Sequence, residues 1–165
     1  MENMERILPE VILIRLEART DQEAIGILAG RLHELGIVKE SYRKAVQERE
    51  KDFSTGLAFE EMGVAIPHTD ACHVNRSALA VGILKEPVIF RHMGMPEIPV
   101  KTEMLFMIAA GEDASHLEFL GNFMDAFQKK GCLRTLKAAS TREEFLAGLS
   151  LYLKENTKIN EEEKR

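Results

Sequence analysis

The sequence has only two cysteines and no long basic run, and each of these features excludes a class of protein. Two cysteines are too few for a disulfide scaffold, so we expect reduced thiols in a cytoplasmic protein. The net charge of -5, together with the missing basic run, argues against broad binding to nucleic-acid backbones.

Long apolar segments are also missing. The run Ala78–Leu84 is far too short to span a bilayer. The first ten residues, "MENMERILPE", lack an apolar core of signal-peptide length. We therefore expect a soluble protein that does not insert into a membrane and that takes part in any membrane process through a partner.

The composition that remains is typical of a globular domain. The chain has 165 residues, of which 45% are apolar and 30% charged, enough for one domain with a single sizeable core. Segments with strand character alternate with segments that have helical capping signals. Predicted strands cover Glu10–Ala18, Gly63–Ile66, Ala78–Lys85 and Glu103–Ala110.

Capping boxes predict helices that begin after Thr20, Ser115 and Thr141, and an amphipathic segment predicts another helix near residues 40–50. The last two predicted strands are almost continuously apolar, which is typical of strands covered on both faces of a sheet. Strands interleaved with helices therefore indicate a layered α/β domain.

The segment "AIPH" places a histidine directly after an apolar run and a proline. Pro67 fixes its own φ angle and restricts the residue before it, so the chain that enters His68 is stiff. A side chain on such a rigid support is well placed for chemistry. The alternative, a histidine that simply ends a strand, stays open at this point.

Two further residues favour an anion-binding site. His116 would be the first residue of a helix and would share its apolar face with Leu120, Phe123 and Phe127. A helix N-terminus attracts anions and disfavours a protonated imidazole. Arg49 ends the apolar stripe of the helix near residues 40–50. The alternatives are a core histidine with satisfied hydrogen bonds and an arginine that extends its head group to solvent.

Together, these three side chains suit phosphoryl chemistry. An unprotonated imidazole nitrogen is a good nucleophile near neutral pH. Phosphoryl transfer otherwise depends mainly on placement and on stabilising the charge of the phosphoryl oxygens. An arginine, a histidine N–H and backbone donors can supply that stabilisation. The sequence therefore predicts a site composed of His68, His116 and Arg49.

Three segments carry a resemblance to a known family. "EREKDFSTGL", then "GVAIPHTDACH", then "GEDASHLEFL" resemble the IIA component of the bacterial sugar phosphotransferase system. The likeness is to its fructose/mannitol class (type 2), and most of all to galactitol-type proteins, over roughly Ile7–Leu153. The resemblance implies one IIA domain over residues 1–165, with a core of about 7–153 and a charged tail at 154–165. It also implies a mixed five-stranded sheet flanked by helices.

The resemblance also implies roles for individual residues. His68 matches the histidine that is phosphorylated on Nε2, and His116 and Arg49 match the two residues that help to hold the phosphoryl group. The phosphoryl pocket would be lined by Thr55, Gly56 and Pro67. In galactitol-type proteins a second histidine lies close after the first, which makes His73 a candidate for the rim of the pocket. The alternative, a surface histidine with no role in the site, stays open and is favoured at this point.

The implied partners are proteins, and no cofactor is implied. In this family the phosphoryl group comes from the histidine phosphocarrier protein HPr and passes to a cysteine of a IIB component. IIB then phosphorylates the sugar that the membrane component IIC imports, so IIB and IIC determine which sugar is taken up. For docking these partners we expect adaptable apolar side chains on the surface, with candidates at Met62, Met93, Met95 and Phe90.

The sequence also has three interpretations other than a role in sugar transport. Nitrogen-related IIA proteins are phosphorylated at the matching histidine but regulate other proteins. A metal site could use His68, Cys72, His73 and His116, although their spacing does not match common zinc motifs. A nucleotide-dependent kinase is disfavoured because the sequence has no G-x-x-x-x-G-K-[ST] loop.

Overall fold

In a computed structural model of the protein, the backbone is described for residues 7–112 and 116–163, and the side chains for that range except 8–9, 116–119 and 154–163. A five-stranded sheet in the order β1-β4-β5-β3-β2 forms the middle layer. Its strands are β1 (Ile7–Leu16), β2 (Gly56–Ala58), β3 (Gly63–Ala65), β4 (Ala78–Arg91) and β5 (Pro99–Ala109).

The sheet is mixed. β1 runs parallel to β4 and β3 runs parallel to β5, whereas the β4–β5 and β2–β3 pairs are antiparallel. This arrangement confirms the expected mixed five-stranded sheet with flanking helices. The helices are α1 (Asp21–Glu34), α2 (Tyr42–Asp52), α3 (His116–Phe127), α4 (Cys132–Lys137) and α5 (Arg142–Glu163), with a short 3-10 turn at Ala71–His73.

Apolar side chains cover both faces of the sheet, as the continuous apolar strands predict. On one face, strand residues such as Val81 pack with side chains of α3, α4 and α5, in what we call the first core cluster. On the other face, residues such as Ala80 and Leu84 pack with α1 and α2, in the second core cluster. The central strands are therefore buried between two helical layers.

Two of the three predicted capping boxes lie within the described residues, and both form. The backbone N–H of Glu23 donates to Thr20 Oγ1 at 3.1 Å, and that of Glu144 donates to Thr141 Oγ1 at 3.1 Å. After α1, Gly36 adopts φ +72°, the left-handed conformation expected of a residue that follows a helix. The third box depends on Ser115, which lies outside the described residues.

The structure also contains elements that the sequence patterns do not predict. β2 and α4 are too short to give a clear periodicity. β4 and β5 both extend beyond their predicted ends, because a register shift between Ile83 and Val88 lets the pair continue as a long hairpin. The backbone of α5 stays helical to Glu163, within the segment expected to be a charged tail.

Candidate functional site

His68 lies just beyond β3, and its backbone is fixed from two directions. It forms a parallel bridge with Ile108 of β5, and the carbonyl of Pro67 accepts from the Ile108 N–H at 3.0 Å. On the other side, the N–H of Ile66 donates to the carbonyl of Thr55 at 3.3 Å. The rigid presentation expected from the proline therefore has a second cause, since two neighbouring segments hold the chain.

The imidazole of His68 is half-buried, and one hydrogen bond determines its tautomer. Nδ1 lies 2.9 Å from the carbonyl oxygen of Ile66. A carbonyl can only accept, so Nδ1 must carry the proton in this contact. In the neutral ring Nε2 then holds the lone pair. The local backbone thus selects Nε2 as the nucleophilic atom.

Arg49 reaches the same loop from the last turn of α2. Its Nη1 lies 3.8 Å from Oδ1 of Asp70, which follows His68 by two residues. Its guanidinium carbon lies 5.2 Å from the ring centroid of Phe53, a cation–π distance. These contacts bring the predicted arginine and the predicted histidine to one place, although they are 19 residues apart in sequence.

One atom of Arg49 is unsatisfied. Among the described residues, its Nε is buried and has no hydrogen-bond partner. Nearly all buried donors in folded proteins are hydrogen-bonded, so such an atom needs an explanation. The fork of donors on a guanidinium matches the oxygens of a phosphoryl group. The buried Nε therefore lacks an acceptor within the described residues, and a phosphoryl oxygen is a group that can supply one.

Glu50, which no sequence motif marks, is a buried carboxylate beside this arginine. It is only 4% exposed, and both of its oxygens accept from Thr55, one from the N–H and one from the hydroxyl, each at 2.8 Å. Burial raises the pKa of Glu50 to about 7, against the opposing effect of these two hydrogen bonds. A spacing of four residues from Tyr42 through Val46 is the signal that places it on the buried face.

Thr55 and Gly56, predicted to line the phosphoryl pocket, have well-defined structural roles. Thr55 is buried, and its hydroxyl donates to Glu50. A Cβ atom on Gly56 would lie 2.6 Å from the carbonyl oxygen of Arg91, so only glycine allows this close approach of the two backbones. Direct contact of either residue with a phosphoryl group stays a prediction.

His73 joins the 3-10 turn to the segment that precedes α2. Its Nδ1 lies 2.7 Å from Oγ of Ser41, and its carbonyl accepts from the N–H of Lys39 at 2.9 Å. Ser41 occupies the N-cap position of α2 but makes no side-chain capping bond, and its hydroxyl contacts His73 instead. The rim position predicted for His73 stays a prediction, and its observed contacts are structural.

His116 is the first residue of α3, as the sequence predicts, but its side chain lies outside the described residues. Its inward orientation therefore stays a prediction. Across the side chains that the structure does describe, no three histidine, cysteine, aspartate or glutamate groups come together as a metal ion would require. No helix in the described part of the chain is both long and apolar enough to cross a membrane.

The four predicted docking residues have different environments. Met93 is 42% exposed and Met95 is 47% exposed. Phe90, by contrast, is fully buried, so its prediction as a docking residue is wrong. Successive residues of a strand point to opposite faces, so Ile89 is exposed on one face of β4 and Phe90 lies in the core on the other. Met62 is half-buried and packs against the first core cluster, which leaves little of it for a partner.

A family model described as "Phosphoenolpyruvate-dependent sugar phosphotransferase system, EIIA 2" matches residues 6–151. The chain belongs to this family. The match confirms the resemblance seen in the segments around Arg49, His68 and His116, and it covers the whole sheet.

Curated relatives show the same relationship over parts of their length. Multiphosphoryl transfer protein 1 of Escherichia coli is 25% identical over 147 residues, 87% of this chain and 17% of that protein. The transcriptional regulator ManR of Bacillus subtilis is 32% identical over 101 residues, 61% of this chain and 14% of that protein. The galactitol-specific EIIA component of Escherichia coli is 39% identical over 44 residues, 27% of this chain and 29% of that protein. The chain thus matches less than a third of the length of each.

Solved structures share the fold. The mannitol-specific cryptic enzyme IIA of Escherichia coli superposes with a TM-score of 0.72 at 19% identity, over 91% of this chain and 99% of that one. The nitrogen regulatory protein IIA-Ntr of Neisseria meningitidis gives 0.71 at 24% identity, over 90% and 99%. The IIA–phosphorylated IIB mannitol complex of Escherichia coli gives 0.70 at 22% identity, over 86% and 94%.

Proposed function

We propose that this chain is a phosphocarrier of a sugar phosphotransferase system. His68 accepts a phosphoryl group from phospho-HPr and passes it to a IIB component, for the uptake and phosphorylation of a sugar or a polyol such as galactitol. The observation that carries the proposal is the hydrogen bond from Nδ1 of His68 to the carbonyl of Ile66, which leaves Nε2 as the nucleophile. Membership of the EIIA family supports it.

The proposed reaction is a pair of in-line transfers. Nε2 of His68 attacks the phosphorus, a new N–P bond forms, and the N–P bond to the histidine of HPr breaks. The proton on Nδ1 stays in place, because its carbonyl partner holds it throughout. In the second transfer a cysteine thiolate of IIB attacks the phosphorus, and the bond to Nε2 breaks. No cofactor is needed, since the energy is carried by the phosphohistidine itself.

Arg49 is the proposed stabiliser of the phosphoryl oxygens. Its buried Nε lacks a partner within the described residues, and its Nη1 is only loosely paired with Asp70 at 3.8 Å. A phosphoryl group can therefore take up these donors without breaking a short ion pair. His116, at the start of α3, is the proposed second residue that holds the group. Thr55, Gly56 and Pro67 support the pocket, and His73 lies at its rim.

The proposal also covers the setting in which the chain works. We place the chain in the cytoplasm as a single IIA domain with its core at about 7–153. There it meets HPr and IIB in turn and reaches the membrane component IIC only through IIB. The proposed interfaces are small and transient, as a carrier with successive partners requires.

A regulatory role is the second candidate. The fold is shared with the nitrogen regulatory protein IIA-Ntr, and a transcriptional regulator is among the relatives. In that case His68 would still be phosphorylated, but the phosphorylated chain would bind a regulated protein and not pass the group to IIB. Transfer of label from the phosphorylated chain to the cysteine of a purified IIB component separates the two candidates.

The first experiment uses labelled phosphoenolpyruvate with Enzyme I and HPr. The wild-type chain should take up acid-labile label, because a phosphohistidine hydrolyses in acid. His68→Ala should take up none, since the alanine has no nucleophile. His33→Ala serves as the matched control, because His33 is exposed on α1, and it should label at the wild-type rate.

Normal labelling of His68→Ala would contradict the assignment of the nucleophile. Absence of label from the wild-type chain, in a mixture where an established IIA protein becomes labelled, would contradict the phosphocarrier proposal as a whole. Circular dichroism of the alanine variant guards against loss of the fold as the cause.

A further inference from the structure

A second feature of the molecule lies far from His68. A cavity of about 380 Å³ opens where β1 and β4 meet the connection between α4 and α5. On β4, Leu79 marks the position of the His68 site, because it pairs with Ile108, which forms a bridge with His68. Leu84, at the cavity, is five residues further along β4 and therefore roughly 17 Å from Leu79. The volume falls in the range of small-molecule sites. Its polar lining consists of Arg15, Lys85, Lys137 and Ser140.

The backbone of β1 is distorted at Arg15. Arg15 has φ +59°, the left-handed region, which costs energy for any residue with a Cβ atom. In a regular strand Leu13 and Leu16 would lie on opposite faces, yet both pack against the second core cluster. The register of β1 shifts between these two residues. Arg15 is thus an inserted residue, and the bulge directs it to the cavity on the face of the first core cluster.

The charge around this cavity is one-sided. The chain as a whole carries -5, but three of the nine residues that line the cavity are basic and none is acidic. Lys137 donates to the carbonyl of Leu84, which leaves two of its three N–H groups for another acceptor. Lys85 is already paired with Glu17 at 3.2 Å, so Arg15 and Lys137 are the main available cations.

The remaining walls are apolar. Ile14, Ile83 and two alanines of the α4–α5 connection border the basic groups. Nearby acids, including Glu17, line a neighbouring cavity and not this one. The cavity thus combines a cationic end with an apolar surface, which matches a molecule with one anionic group and a carbon body.

We propose that this cavity binds a small phosphate monoester, with the phosphate between Arg15 and Lys137 and the carbon body against Ile14 and Ile83. A guanidinium and an ammonium are the usual protein ligands of phosphate oxygens. The proposed site gives the strained backbone at Arg15 a function. In a regular strand the side chain of Arg15 would lie on the other face of the sheet, whereas the bulge places this cation at the cavity. This site is separate from His68 and does not depend on the proposed function.

The test is a titration of the whole chain with glycerol 3-phosphate, in which binding is monitored through the chemical shifts of the backbone amides in ¹H–¹⁵N NMR spectra. Saturable shifts at Lys85 and at Ala138–Ser140 are expected, with tighter binding than for inorganic phosphate and none for glycerol. Shifts confined to the surroundings of His68 and Arg49, or shifts that never saturate, would overturn the proposal. Equal binding of inorganic phosphate would show an adventitious ion only and would overturn the assignment of an ester.

Arg15→Gly is the sharpest variant, because glycine fits the left-handed backbone. Its thermal midpoint should equal or exceed that of the wild-type chain, while its affinity for the ester falls tenfold or more. Lys137→Gln should weaken binding to a similar degree, and Lys101→Gln, exposed on β5, should leave it unchanged. If Arg15→Gly binds the ester with wild-type affinity, the proposal is wrong. Its thermal midpoint shows that the variant is folded.

Discussion

Single polar atoms decide what the candidate site can do. Nδ1 of His68 has a carbonyl partner, so the opposite nitrogen is the nucleophile. Nε of Arg49 is buried and has no partner among the described residues, so it lacks an acceptor that a phosphoryl oxygen can supply. Both oxygens of Glu50 are occupied by Thr55. The hydrogen bonds that these three side chains make, and not the residue types alone, therefore decide which atom is the nucleophile and which donor lacks an acceptor within the described part of the chain.

Glu50 should give the stability of the protein a pH dependence. Burial raises its pKa from 4.5 to about 7 in the folded state. Below pH 4.5 Glu50 is protonated in both the folded and the unfolded chain, so its ionisation takes nothing from the free energy of unfolding. Between pH 4.5 and about 7 the unfolded chain ionises Glu50 while the folded chain keeps the proton, so the free energy of unfolding falls by at most about 3 kcal/mol, and the loss is complete as the pH rises through 7.

The measurement is urea unfolding of the wild-type chain and of Glu50→Gln at pH 4.5 and pH 8. The wild-type chain should lose free energy of unfolding relative to Glu50→Gln as the pH rises, since glutamine does not titrate. Glu48→Gln, exposed on the same helix, is the control and should follow the wild type. A difference between wild type and Glu50→Gln that is constant with pH would refute this linkage.

At the scale of elements, Ile108 of β5 joins the two parts of the site. Its N–H donates to Pro67, which holds the loop of His68, and its carbonyl accepts from the hydroxyl of Tyr42 at 2.8 Å. Tyr42 is the first residue of α2, whose last turn carries Arg49. Burial raises the pKa of Tyr42 above its ordinary value, so the phenol keeps the proton that it donates. One strand residue thus positions both the helix and the loop.

Tyr42→Phe should therefore weaken this junction. The loss of a buried hydrogen bond is expected to lower the free energy of unfolding by about 1–2 kcal/mol. The amide of Ile108 should also exchange faster with solvent deuterium. Tyr152→Phe is the matched control and should change little, because the contact of its hydroxyl within the described residues is a long, exposed one of 3.4 Å with Thr135. Equal effects of the two substitutions would argue against the junction.

At the scale of the whole molecule, exposed apolar side chains lie beside the site. Phe53, which contacts Arg49, is 64% exposed. Met93 is 42% exposed, and its N–H donates to the carbonyl of Gly56, so the β4–β5 loop lies close to the segment after α2. An exposed apolar surface next to a reactive group fits a protein that docks against others. Methionine adapts its shape to more than one partner.

Met93→Ser should weaken docking without altering the chemistry. We expect the KM for phospho-HPr to rise about three- to tenfold, a loss of roughly 1 kcal/mol, while the transfer rate at saturation stays unchanged. Leu151→Ser, at a residue 57% exposed on α5, is the control and should transfer at the wild-type rate. A fall in the saturated rate with an unchanged KM would assign Met93 a role in the pocket and not in docking.

The parts of the site that the sequence predicts are those with a local signal. The proline before His68 and the apolar stripe that ends at Arg49 are visible within a few residues of each position. Sequence reasoning does not pick out Glu50, because a carboxylate normally faces solvent and the group that satisfies it within the described residues is Thr55, beyond the end of the helix. Phe90 was misassigned because the extension of β4 into a hairpin depends on a bulge that no short pattern shows.

The sequence by itself determined the layered α/β class, two observed helix starts and the family to which the chain belongs. These depend on periodicity, caps and motifs, which act over a few residues. Only the tertiary structure decided which nitrogen of His68 is free, which donor of Arg49 lacks a partner among the described residues and where the bulge at Arg15 points. The hydrogen bond of His68 is local, to Ile66, but the segment that makes it is held by Ile108 of β5 and by Thr55. Such contacts between segments distant in sequence exist only once the chain has folded.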